Sequence, residues 1–284
     1  QPAVSVVIQE CNRVTGVQLF ERKQGRLQPT PETGALLPEI ERVQHAVHRV
    51  RALVQDFART RRGYLRIAAV PIMADNIMPA ALQASQRELA DIGISLICRD
   101  YEEIPDLLDS GRVDVGLSSS LLPSRSQDVI DLWVSELVVV MKQDHPLARQ
   151  SSIRADDLSL YPLIAFNHNI PIGLAAERAF QKVGLTPTVA GEVSQTSTAI
   201  SCAREGIGVA IVHPLGIATQ QANGIEVRPL SPSTPFHNQV LLPKSGHLNR
   251  SIQLFIAALR RVVPRMRQTE DCVNKAVHSP VSRR

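Results

Sequence analysis

The apolar positions of this chain change period more than once, and each change marks a boundary. Val4, Ile8 and Cys11 recur at helical spacing, which predicts a helix over residues 1–12 with Pro2 tolerated in its first turn. Thr15-Gly16 closes it. Val17 to Phe20, followed by the basic run Glu21-Arg22-Lys23-Gln24-Gly25-Arg26, reads as a short strand or turn with a basic tip. Thr30 is then placed to cap a new helix, with Pro31 and acidic Glu32 in its first turn. Along that helix Leu36, Ile40, Val43, Val47, Val50, Val54 and Phe57 are separated alternately by four and three residues. This is the seam of a coiled coil. At about 1.5 Å per residue it runs for roughly 30 Å, more than the short preceding segment can cover, so a partner helix is predicted.

Arg59-Thr60-Arg61-Arg62-Gly63 breaks the seam and reads as a hinge, and the pattern beyond it changes. Strands are predicted at 65–70, 94–98 and 113–117, with helices at 75–89 and 104–110 between them. Alternation of that kind indicates a parallel sheet with helices on its faces. A strand at 137–141 precedes the break at Asp144-His145-Pro146, and the alternation then repeats. Strands fall at 163–166, 188–193 and 207–212, with helices at 173–183 and 198–205; strands at 225–230 and 240–242 and a helix at 252–263 follow. The expected organisation has four parts. Residues 1–30 form one small domain and 31–58 the dimerising helix. Residues 64–266 are a two-lobed α/β domain, lobe I taking 64–141 and 215–266 and lobe II 160–214. Residues 267–284, which lack any apolar period, are expected to be a disordered tail.

Composition narrows the class. Of 284 residues 44% are hydrophobic and 20% charged, so the chain is globular; no apolar run approaches the roughly 20 residues a membrane helix needs. Four scattered cysteines, Cys11, Cys98, Cys202 and Cys272, have no metal-type spacing and fit a reducing cytoplasm. The net charge of +4 is unevenly spread. Residues 1–66 hold eleven Lys/Arg against six Asp/Glu and residues 265–284 five against two, so the middle of the chain is acidic. A basic end on an acidic body points to one part that meets a polyanion and another with a different task. No GxSxG elbow, paired carboxylates or Cys/His couple stands out, so neither an enzyme, a metal nor a cofactor is expected.

Short strings then carry a resemblance. QPAVS at 1–5 with Ile8, GVQLFER at 16–22, the PT pair at 29–30 with Gly34-Ala35-Leu36-Leu37, GRVDVGL at 111–117, DHPLA at 144–148, DLSLYPLI at 157–164 and GIGVAIVHP at 206–214 occur in order. Together they resemble the LysR-type bacterial transcriptional regulators over roughly residues 1–266. The resemblance implies a partial winged helix-turn-helix whose first helix precedes Gln1, a long linker helix, and a two-lobed effector domain built like a periplasmic binding protein. It also implies a cytoplasmic regulator, a homodimer or homotetramer, that binds double-stranded DNA and a small-molecule effector and has no membrane partner. Gln1, Pro2, Ser5, Arg22, Lys23 and Arg26 would face DNA. Val6 and Val7 stand where the family often has polar or basic residues, which leaves a binding module without specific DNA recognition as the alternative.

In a two-lobed α/β domain, ligands sit at the carboxyl ends of strands. Four segments are candidates. Val70, Pro71, Ile72 and Met73 follow the first strand and favour a hydrocarbon body. Ser118 and Ser119 follow the strand ending at Leu117, and Asn167 and His168 follow Phe166. Gln195, Thr196 and Ser197 cluster hydroxyls where a helix begins, a setting that satisfies a carboxylate without Lys or Arg. The expected effector is therefore an organic anion with an apolar part. His213, Arg99 and Arg204 are further possible partners, each as readily structural.

Overall fold

The computed structural model describes residues 2–23, 26–37, 39–40, 43, 47, 50, 64–121, 127–218, 223–244 and 248–276. Helix α1 (Pro2–Thr15) stops where Gly16 adopts φ 69°, a left-handed conformation that glycine reaches without a Cβ penalty. Asn12 Oδ1 accepts the Leu19 N–H at 2.9 Å and turns the chain into an antiparallel hairpin of β1 (Phe20–Lys23) and β2 (Arg26–Pro29). Thr30 Oγ1 accepts the Thr33 N–H at 3.4 Å and so caps α2, which is helical at 31–37 and at 39, 40, 43, 47 and 50. On α2, Leu36 is half-buried, while Ile40, Val43, Val47 and Val50 are each between 45% and 65% exposed. Val54, Phe57 and the hinge at 59–63 lie outside the described residues.

From residue 64 the chain builds two sheets. First come β3 (Tyr64–Ala69), α3 (Pro71–Asn76), α4 (Met78–Ser85), β4 (Gly93–Cys98), α5 (Glu103–Asp109), β5 (Val115–Ser120) and β6 (Asp128–Glu136). Next follow β7 (Val138–Lys142), β8 (Ile153–Arg154), α6 (Ala155–Leu158), β9 (Leu163–Phe166) and α7 (Pro171–Gln181). Then come β10 (Val189–Val193), α8 (Thr196–Arg204), β11 (Val209–Val212), α9 (Leu215–Ala218) and β12 (Ile225–Ser231). Finally β13 (Pro235–Leu242) leads to α10 (Arg250–Ala276).

Lobe I is the sheet β4-β3-β5-β13-β6, in which β4, β3 and β5 run parallel and β13 pairs antiparallel with both β5 and β6. Its core gathers Leu65, Ile67, Met73, Ile104 and Leu117 with Phe255 and Leu259 of α10. Lobe II is the sheet β10-β9-β11-β7-β12-β8, with β10, β9 and β11 parallel and β7 antiparallel to both its neighbours. Its core holds Val138 to Met141, Leu163, Phe180, Ile200 and Val209 to Val212.

Several expectations are corrected here. Residues 138–141 and 225–231 belong to lobe II, not lobe I: the chain crosses between sheets at Leu137 and again between Ser231 and Pro235. An all-apolar strand such as Leu137–Met141 is buried on both faces in either sheet, so its sequence carries no address. Strand β6 was not anticipated, because Asp128, Asp131 and Glu136 interrupt its apolar positions. The helix expected at 75–89 starts at Pro71 and breaks at Ile77, where Pro79 restarts the chain as the first turn of α4. Helices α7 and α8 each begin two residues earlier than expected. Residues 118–120 continue β5 and do not follow it. The tail is not disordered throughout: α10 runs on to Ala276, and only 277–284 lie outside the described residues. Among the described residues no helix is long and apolar enough to cross a membrane.

The continuation of α10 is held by a polar residue in an apolar slot. Val263, Met266 and Glu270 follow one another down its inner face and all are buried. Glu270 Oε1 accepts from Ser135 Oγ at 2.7 Å and from Trp133 Nε1 at 3.1 Å, tying the helix to β6. Burial pushes the Glu270 carboxyl up to about 7, against the opposing effect of the Ser135 and Trp133 bonds. A carboxyl raised in the folded state stabilises the fold below its unfolded value and loses that contribution as pH rises through the folded value. Between about pH 4.5 and pH 7 this group therefore costs stability as it ionises, on the order of 3 kcal/mol in all. Glu270→Gln is expected to flatten that decline, which urea denaturation of both proteins from pH 5 to pH 8 measures. Parallel stability curves would show that Glu270 does not titrate in this window.

Candidate functional site

The two sheets meet with the carboxyl ends of their parallel strands facing one another, and a cavity of about 110 Å³ opens between them. Beyond β3, Val70 extends the strand as the N-cap of α3, and Pro71 at its first position needs no N–H partner. Val70 N–H donates to Leu117 O at 3.0 Å, holding this turn against β5. Val70, Pro71 and Ile72 form an apolar wall, with Asp75 and Asn76 one turn further on. Asp100 and Tyr101, past β4, and Ser119, inside β5, complete the lobe I side.

Lobe II supplies Phe166 at the end of β9 and Ile170, Pro171 and Ile172 at the start of α7. Past β10 come Ser194 and then Gln195, Thr196 and Ser197 at the N-terminus of α8. Gln195 is the N-cap residue and makes no side-chain cap hydrogen bond, so its side chain does not satisfy the first N–H groups of α8. His213 and Gly216, just past β11, and Phe236 on β13 close the floor.

Gly216 is required where it stands. A Cβ there would strike Thr196 Cγ2 and come within 3.4 Å of Ile72 Cδ1, so the missing side chain lets the two walls approach. His213 is buried, with Nδ1 accepting the Leu215 N–H at 3.2 Å and Nε2 lying 3.2 Å from Asn238 Oδ1. Burial drives its pKa down to about 4, with the Asn238 bond opposing, so the imidazole is neutral at pH 7. Its ring meets Phe236 edge-on, centroids 5.8 Å apart.

Among the described lining residues there is no Lys or Arg, and both carboxylates, Asp75 and Asp100, stand on lobe I. Arg99 is turned to Glu103 at 3.4 Å and to Cys98 O at 2.7 Å. Arg204 sits at the far end of α8, where its Nε donates to Asn223 O at 3.3 Å. Neither lines the cavity.

The candidate residues thus divide. Val70, Pro71, Ile72, Ser119, Gln195, Thr196 and Ser197 come together on the wall. Met73 does not: it is fully buried in the lobe I core. Ser118 points to the opposite face of β5, since successive strand residues alternate, and its buried Oγ has no hydrogen-bond partner among the described residues. Asn167 and His168 are exposed on the loop before α7, where Asn167 Oδ1 accepts the Asn169 N–H at 2.9 Å. Asp75 and Asn76 escaped sequence reasoning, although three and four residues after Ile72 they share its helix face. Of the DNA-facing candidates, Pro2 and Ser5 lie on α1, Arg22 and Lys23 are exposed on β1, and Arg26 opens β2. Lys23 pairs with Glu21 at 2.6 Å; Gln1 lies outside the described residues.

Residues 58–264 match the model of the LysR substrate binding domain family. The chain is 24% identical over 273 residues to the transcriptional activator protein LysR of Escherichia coli, covering 96% of this chain and 88% of that one. It is 30% identical over 232 residues to the octopine catabolism/uptake operon regulatory protein OccR of Rhizobium meliloti, covering 81% and 76%. In fold it is similar to a mutant of Corynebacterium glutamicum OxyR, with TM-score 0.66, 19% identity and coverage of 99% and 87%. It is also similar to the effector binding domain of QuiR in complex with shikimate, with TM-score 0.61, 17% identity and coverage of 72% and 98%.

The close approach at Gly216 has a measurable cost. Gly216→Ala is expected to lose about 1–3 kcal/mol by forcing Thr196 and Ile72 apart. Gly191→Ala, with nothing within 4 Å of the added Cβ, should stay within about 0.5 kcal/mol. Urea denaturation of the two variants decides, and equal losses would mean the walls yield freely.

Proposed function

The chain belongs to the LysR family of transcriptional regulators, and we propose on that premise that it regulates transcription in response to a small organic acid held between its lobes. The observation that carries this reading is the α8 N-terminus on the cavity wall, where Thr196 and Ser197 lie in the first turn behind an N-cap side chain that makes no cap bond. The positive end of the helix dipole and free N–H groups favour a carboxylate there. Val70, Ile72, Phe166 and Phe236 supply apolar surface for the rest of the molecule. Gln1, Pro2, Ser5, Arg22, Lys23 and Arg26 are assigned to DNA, chiefly to phosphates, and the work is cytoplasmic.

The exposed seam of α2 is assigned to a second copy of the chain. Exposed valines spaced three and four apart on one helix face cost nothing when two such helices cover each other. Two-fold pairing also matches the two half-sites that helix-turn-helix regulators read.

Thermal denaturation with a panel of four- to six-carbon carboxylic acids tests the effector assignment. A ligand at about one hundred times its Kd should add roughly 2.7 kcal/mol, a rise of several degrees in Tm. Thr196→Ala with Ser197→Ala should abolish that rise while leaving the unliganded Tm within a degree or two; an undiminished rise would move the site elsewhere. Retention on DNA from the chain's own gene region should fall steeply with salt. Stabilisation by an acid without any such retention would leave only the sensor reading. For the seam, Val43→Lys with Val47→Lys should weaken self-association by about a hundredfold or more, as sedimentation reads it; an unchanged dimer would place the interface elsewhere.

A further inference from the structure

One buried hydrogen-bonded chain joins the cavity wall to the C-terminal helix, and every bond in it has a fixed direction. At one end Glu270 Oε1 accepts from Ser135 Oγ at 2.7 Å and from Trp133 Nε1 at 3.1 Å. Both bonds fall on the same oxygen, so it is the acceptor whether or not Oε2 carries a proton. The Ser135 hydroxyl has spent its one proton on Glu270, and its oxygen accepts from Asn238 Nδ2 at 2.7 Å. The amide of Asn238 is thereby oriented: its nitrogen faces Ser135 and its Oδ1 faces the cavity side. There Oδ1 accepts from Ser119 Oγ at 2.7 Å.

The other end imposes the same orientation independently. His213 Nδ1 accepts the Leu215 main-chain N–H, so the neutral ring carries its proton on Nε2, which lies 3.2 Å from Asn238 Oδ1 and donates to it. An Asn238 amide turned the other way would set a donor against a donor. All six side chains, Ser119, Trp133, Ser135, His213, Asn238 and Glu270, are buried, so a reversed bond has no water to repair it.

We propose that Asn238, oriented by Glu270 from one side and His213 from the other, fixes Ser119 as a hydrogen-bond acceptor toward the cavity, so that the effector presents an amine or hydroxyl donor to it. This rests on the interlobe cavity being the effector site. Ser119 gives its proton to Asn238 and keeps only lone pairs for a ligand. Asp75 and Asp100, on the same lobe, also only accept when ionised. The facing wall offers the opposite: N–H groups and hydroxyls at the start of α8. The effector is thus bipolar, with a carboxylate toward the start of α8 on lobe II and a donor toward Ser119 on lobe I. Asn238 and Glu270 are positioning residues, and Ser119 sets the specificity.

Two matched triads test this by calorimetry on the intact chain: norvaline, 2-hydroxypentanoate and 2-oxopentanoate, and the 4-amino, 4-hydroxy and 4-oxo pentanoates. Within each triad size and carboxylate are constant; the hydroxy and oxo members differ only in the donor, and the amino member adds a positive charge that Asp75 and Asp100 also favour, so the hydroxy/oxo ratio is the one that reads Ser119. The amino or hydroxy member is expected to bind roughly tenfold or more tightly than the oxo member, which leaves Ser119 unpaired. Ser119→Ala should collapse that ratio toward one. Asn238→Leu, which frees the Ser119 proton to point into the cavity, should shrink it too or invert it. An oxo acid that binds as tightly as its partners overturns the proposal, as does a ratio unchanged in Ser119→Ala. A second arm needs no ligand and guards against misfolded variants or a silent panel. In the natural protein the Asn238 side-chain amide protons should show NOEs to the Ser135 β protons, not to those of Ser119, and the reverse pattern is fatal. Loss of binding in the Thr196/Ser197 double variant together with no donor preference would leave the effector site standing and remove only the polarity.

Discussion

Strand β13 begins where its antiparallel neighbour β6 ends, and the chain leaves lobe I there at Leu137 and re-enters between Ser231 and Pro235. That double crossing is the constraint on which the molecule is built. Among the described residues two segments pass between the sheets, each lobe keeps its own core, and the lobes face each other across the ends of their parallel strands. Loops at those ends have no sheet partner to satisfy, so they are free to carry ligand-facing groups. The cavity is a consequence of the topology before any side chain is considered.

Side chains then divide the work by chemistry. Apolar residues at the ends of β3 and β9 line the cavity, and an apolar lining strengthens whatever polar contacts a ligand makes there. The polar groups differ between the lobes: two carboxylates and Ser119, with Asn76 and Tyr101, stand on lobe I, and the hydroxyls and N–H groups at the start of α8 on lobe II. A neutral His213 suits this arrangement, because a charged imidazole would place a second donor where Leu215 already donates. The network behind Ser119 is a stiff backing. Fully satisfied polar chains of this kind specify one arrangement of a core, where a half-satisfied one would be worse than none.

Much of this was legible in the residues, and the failures have identifiable causes. Alternating strands and helices gave both lobes, because fully buried parallel strands such as Leu163–Phe166 and Val209–Val212 are unbroken apolar runs. Three of the four candidate segments contributed to the wall for the same topological reason. Ser118 was paired with Ser119 because a run of three serines hides the strand register; with β5 extended to Ser120, only alternate residues face the cavity. Asn167 and His168 follow a strand end as the others do, yet both are exposed on the loop before α7 and neither lines the cavity. The end of α10 stayed hidden because its key position is Glu270. A pattern of apolar residues cannot register a carboxylate that is buried by virtue of its partners, 135 and 137 residues away in sequence. Likewise, no local signal links Leu137 to one sheet or the other.

Trp133 gives the molecule one more property. It is the chain's only tryptophan, it is buried, and its indole N–H is bonded to the carboxyl that anchors the polar chain. Indole emission responds to nearby charge and to the loss of its hydrogen-bond partner, and here no second indole dilutes the signal. The intrinsic fluorescence of the unlabelled protein is therefore an optical readout of a single place, the strand junction where one lobe hands the chain to the other.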